Sequence, residues 1–109
     1  MNRIDHPAAF GSVAWLDATE GGRVSGPPTA TVYAATCEFT TQEGQRESEP
    51  SAERLSILLQ PAVPGDWSAT RVGFLAEQLA RPKLQVGVVV LVLEGPRTVG
   101  ILRITEVVD

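Results

Sequence analysis

Glycine and proline interrupt this chain so often that no long helix fits between them: Gly21-Gly22, Gly26-Pro27-Pro28, Pro61, Pro64-Gly65 and Gly95-Pro96 each mark a turn. The stretches left between the breaks are Val13 to Leu16, Thr29 to Phe39, Arg54 to Gln60, Val86 to Leu93 and Thr98 to Val108. Rich in Val, Ile, Thr and aromatics, they read as strands. Alternation puts Leu55, Ile57 and Leu59 on one face of the third. Val86 to Leu93 is apolar on both faces, as a central strand is, and Val99, Ile101, Leu102 and Ile104 leave neither face of the last strand polar at its start. The expected core is Val13, Trp15, Val32, Ala34, Ile57, Leu59, Val88, Val90, Val92, Ile101 and Ile104. One stretch carries two patterns. From Ser68 to Arg81, Val72, Leu75, Ala76 and Leu79 recur at helical spacing, with Ser68 as an N-cap and Pro82 as a stop, while Thr70 and Gly73 weaken a helix. The expectation is therefore all-β, with at most one short helix near 68–81.

A chain of 109 residues with 43% apolar side chains makes one domain that can bury its own core. Its net charge of −4 disfavours a general coating of nucleic acid, so no DNA partner is expected. The negative charge is concentrated: Glu38, Glu43, Glu47, Glu49 and Glu53 stand close together against Arg46 alone. Thr40 to Glu53 also contains no Val, Ile, Leu or aromatic residue, which predicts an acidic loop over 40–53. Residues 1–9 read as a flexible N-terminal tail. A single cysteine, Cys37, cannot close an internal disulfide, and Met1 to His6 holds no apolar signal segment; both fit a cytoplasmic location. The longest apolar run, Val86 to Leu93, is far short of the roughly 20 residues a spanning helix needs, so no membrane partner is expected.

Chemistry-bearing residues are scarce. Lys83 is the one lysine, His6 the one histidine and Cys37 the one cysteine, which removes most metal sets and the Cys–His and Ser–His nucleophile pairs. No G-x-x-x-x-G-K-[ST] loop is present to cradle a nucleotide's phosphates. Neither enzyme activity, nor a cofactor, nor nucleotide binding is expected.

Three anchors in order carry a resemblance. They are Glu20-Gly21-Gly22-Arg23 after the first strand, Pro64-Gly65-Asp66 at a middle turn, and Glu94-Gly95-Pro96-Arg97-Thr98-Val99-Gly100 before the last strand. Together they resemble the third, C-terminal domain of the elongation factor Tu family over about residues 10–108, where the last motif reads Glu-Gly-Gly-Arg-Thr-Val-Gly. The resemblance implies a six-stranded antiparallel Greek-key barrel, matching the five or six strands counted above. It also implies a strand where the 68–81 pattern suggests a helix. In that family the domain helps hold the T-stem of aminoacyl-tRNA and packs against protein neighbours, which implies a partner face here at Arg23, Glu94, Gly95 and Arg97. This chain has Val24-Ser25-Gly26 where the family has His-Thr-Pro, and keeps only Tyr33 of the family's Gly-Tyr-Arg-Pro. Losing that histidine and second arginine turns the implied face towards protein. The first expectation is a non-enzymatic binding module acting through protein contacts linked to translation; the alternative is a tRNA- or RNA-binding module that retains the T-stem surface.

Overall fold

Two tight turns set the hairpins. In the computed structural model, which describes residues 3–24, 26–40 and 54–109, Pro64-Gly65 joins β3 (Leu55–Val63) to β4 (Asp66–Phe74). Gly65 sits at φ +84°, so a proline at the first central position and a left-handed glycine at the second make a type II turn. Gly95-Pro96 joins β5 (Val89–Glu94) to β6 (Arg97–Val107). There the glycine comes first, at φ +61°, which gives the type II′ turn whose twist matches a hairpin. With β1 (Ala9–Trp15) and β2 (Tyr33–Phe39) the strands close into an antiparallel barrel in the order β1-β4-β3-β2-β5-β6. Strands β2, β3 and β4 follow one another as neighbours and β1 lies beside β4, which is a Greek key. The ambiguous stretch divides: residues to Phe74 pair as β4, and a short helix α1 (Glu77–Ala80) with a 3-10 turn at Arg81–Lys83 follows.

Val13, Ile57, Leu59, Val88, Val90, Val92 and Ile104 are buried in the barrel as expected, and Trp15 packs against them. Val32, also expected there, is only half-buried and lies outside this cluster, and two expected core residues face outward. In β2 the buried alternation runs through Tyr33, Cys37 and Phe39, which leaves Ala34 exposed. In β6 a bulge reverses the phase: Val92 pairs with Gly100 but Leu93 with Thr98, so Val99 is an extra residue. Val99 points in, the next inward residues are Leu102 and Ile104, and Ile101 is left 37% exposed.

Of the expected tail 1–9, residues 1 and 2 lie outside the described residues, and Ile4, Ala8 and Ala9 are docked. Ile4 is buried, donates its N–H to Gln60 Oε1 at 2.8 Å and lies against Gly73 on the outside of the barrel. Ala8 and Ala9 are fully buried. Of the expected acidic loop, residues 41–53 lie outside the described residues, but Thr40 belongs to the barrel: its N–H and Oγ1 both donate to the Val89 carbonyl, at 3.1 and 2.7 Å. No helix among the described residues is long and apolar enough to cross a membrane.

Cys37 is fully buried in β2, and burial pushes its thiol up to about 12. With so little thiolate and no access, it should be inert towards Ellman's reagent at pH 8 in the folded protein and react as one thiol per chain once unfolded. Rapid labelling of the folded chain would show that Cys37 is not enclosed.

Candidate functional site

β1 and β2 are not neighbours, so the chain between them, residues 16–32, must cross the end of the barrel. This strap begins in a short capped turn. Asp17 Oδ1 accepts from Glu20 N–H at 3.0 Å, while Glu20 Oε1 accepts from Asp17 N–H at 3.0 Å, a reciprocal cap on the 3-10 turn Ala18–Glu20. The Thr19 hydroxyl and the Glu20 N–H hold the Asp17 carboxyl below its ordinary range. Gly21 then takes φ +86°, and Gly22 packs so closely on the preceding backbone that a Cβ there would land on the Leu16 carbonyl and 2.7 Å from its Cβ. Both glycines are thus demanded by the turn itself, and the turn delivers Arg23 to the barrel.

Arg23 meets a prepared surface. Its guanidinium carbon lies 5.5 Å from the centre of the Tyr33 ring, and its Nη1 is 3.4 Å from Glu94 Oε2. The Tyr33 hydroxyl donates to the same carboxylate oxygen. Burial first, then the hydrogen bond and charge of Glu94, hold the Tyr33 phenol well above its usual range, with Arg23 opposing. Behind Tyr33, Trp15 stands edge-on at 5.2 Å between ring centres, and Trp67 edge-on to Trp15 at 5.0 Å. Trp15 lies over Gly100, where a Cβ would come within 2.9 Å of its ring. The indole N–H groups of Trp15 and Trp67 are buried without an acceptor among the described residues.

Of the four residues singled out in the sequence, Arg23 and Glu94 meet at Tyr33, and Gly95 and Arg97 follow Glu94 through the turn. Arg23 pairs with Glu94; Gly95 offers its carbonyl to Arg54 Nη1 at 3.1 Å; Arg97 Nη1 reaches the Gly22 carbonyl at 3.5 Å. Sequence reasoning did not single out Arg54, Glu38 or Trp67 for this face. Arg54 Nε donates to Glu38 Oε1 at 2.9 Å, joining residues that meet only because β2 and β3 pair. Trp67 carried no signal beyond that of a core aromatic. Both contacts of Glu94 fall on Oε2, and Arg97 has no carboxylate within 4.0 Å among the described residues. The face therefore presents, on the two sides of one turn, an Arg97 guanidinium held by the Gly22 carbonyl but by no carboxylate among the described residues, and a Glu94 Oε1 outside both contacts of that side chain.

At the same end of the barrel, a cleft of about 400 Å³ separates Pro28–Thr31 of the strap from Gln60–Ala62 and the Pro64-Gly65 turn. Among the described residues, no charged side chain lines it. Among the described residues, no cluster of three His, Cys, Asp or Glu side chains could hold a metal. The chain matches no protein-family model, no curated protein and no solved structure.

Proposed function

We propose that this chain is a non-enzymatic binding module that takes a protein partner on the face formed by Arg23, Glu94, Gly95 and Arg97, in a role linked to translation as the elongation-factor resemblance implies. The observation that carries the reading is the pair of opposite charges flanking one turn: the Arg97 guanidinium, which meets no carboxylate among the described residues, and Glu94, whose Oε1 lies outside its contacts and whose Oε2 accepts from the hydroxyl of Tyr33, a ring braced by Trp15. A protein surface can answer both signs at once. A phosphate backbone answers only cations, and here Arg23 and Arg54 already face Glu94 and Glu38.

The test begins with cross-linking capture of the partner and continues with purified components. Arg97→Ala should keep its fold and weaken partner binding by at least about five-fold, the loss of more than about 1 kcal/mol that marks an anchor. Raising salt from 50 to 200 mM should change the affinity only modestly, because few ions are released. Unchanged binding by Arg97→Ala would defeat the proposed face. An RNA partner whose affinity collapses over that salt range would replace it with the RNA-binding reading.

A further inference from the structure

We infer that Tyr33 and Glu94 form a receptor for an arginine side chain, filled within the chain by Arg23 and open to an arginine of the partner protein when the strap withdraws. The inference rests on the protein-binding reading and specifies the chemistry of the partner.

Seat and occupant come from different parts of the fold. The seat belongs to the barrel: Tyr33 opens β2, Glu94 ends β5, and Trp15 braces the Tyr33 ring from β1. Its occupant is carried on the strap, which lies outside every strand ladder. The seat offers a flat aromatic face beside a carboxylate whose Oε2 is fixed by the Tyr33 hydroxyl. That combination fits a guanidinium better than an ammonium, because the planar cation can stack on the ring while its in-plane N–H groups reach the carboxylate.

The present occupancy leaves room for a better one. Arg23 approaches Oε2 at 3.4 Å, beyond the roughly 2.7–2.9 Å of a short charge-assisted hydrogen bond, and Oε1 is open for the second arm of a fork. The Glu94 side chain is 42% exposed, so an incoming side chain can reach it. Exchanging one guanidinium for another leaves no charge unpaired in the seat. Arg23 holds in its favour its tether, worth an effective concentration of order millimolar for a short flexible link, and the contacts that fix the strap beside it, among them the Gly22 carbonyl on Arg97. A partner arginine overcomes it by a bidentate grip and by neighbouring contacts such as those with Arg97.

The experiment empties the seat and offers it a free ligand. Arg23→Ala is titrated with N-acetyl-arginine methylamide at constant ionic strength, following tryptophan fluorescence and the melting temperature. A saturable response is expected, at least ten-fold weaker in wild type, where Arg23 competes. The lysine analogue should bind at least about five-fold more weakly than the arginine compound. Glu94→Gln in the Arg23→Ala background should abolish the response. If Arg23→Ala does not fold, Arg23→Lys takes its place, since an ammonium keeps the charge but yields the seat to a guanidinium. No saturable binding, equal binding of the lysine analogue, or binding that survives Glu94→Gln overturns the inference. Because the titration uses no partner protein, its failure beside a normal Arg97→Ala binding loss removes the receptor and leaves the binding face standing. Success beside unchanged Arg97→Ala binding does the reverse for the face.

Discussion

Gly11→Ala should cost about 3 kcal/mol and lower the melting temperature by roughly 10–20 °C, although it adds a single methyl group. Gly11 sits in β1 next to a break in its register with β6, pairing with Ile104 on one side and Thr70 of β4 on the other. A Cβ built there would fall on the backbone carbonyl of Arg103 and 2.7 Å from Leu102 Cδ1. The carbonyl belongs to the paired strand, so relief requires the β1–β6 ladder to part. Gly73 is the matched control. It too is buried in a strand, but a Cβ there would meet Ile4 Cγ2 at 3.5 Å, an ordinary contact. Gly73→Ala should therefore be neutral or stabilising by up to about 1 kcal/mol, as the unfolded chain loses freedom and no strain appears. Thermal and denaturant unfolding of the two variants decide the matter, and similar stabilities for both would contradict the close approach at Gly11.

Those two glycines also show where the sequence stops being readable. The turn glycines are legible because their neighbours declare them: Pro before Gly65 and Pro after Gly95 specify two different turns, and both hairpins form as read. Gly11 has no such companion. Its requirement comes from a strand more than ninety residues away in sequence, and local pattern carries no trace of that. The face at the barrel's end divides in the same way. Arg97 lies opposite Glu94 because the Gly95-Pro96 turn pairs them, which is local, whereas only the family resemblance implies that Arg23 shares their face. Arg54 and Glu38 join the face through the β2–β3 register, and Ile4 is buried because the chain before β1 folds back onto Gly73 of β4 and Gln60 of β3. Both exist only once strands are paired.

The phase of β6 offers the sharpest energetic contrast between sequence pattern and fold. Leu102→Ala should cost about 2–5 kcal/mol, the range for a large aliphatic side chain removed from a packed interior, whereas Ile101→Ala should cost no more than about 1 kcal/mol. Read as an alternating strand starting at Val99, the sequence puts Ile101 in the core. Period-two alternation holds only while the register is regular, and the extra residue at Val99 shifts all that follows by one. Leu102 consequently has no exposed surface and sits in one interior with Val13, Val90 and Val92, while Ile101 keeps more than a third of its surface in solvent. The bulge follows from what it accommodates. It brings Gly100 under the Trp15 ring, where a side chain would collide, and so sets the aromatic wall behind Tyr33. Equilibrium unfolding of the two variants in urea reads the difference directly, with equal slopes confirming that the same surface is exposed on unfolding. A larger loss for Ile101→Ala than for Leu102→Ala would mean that β6 runs in the regular phase, and that Gly100 and Trp15 do not form the base of the proposed seat.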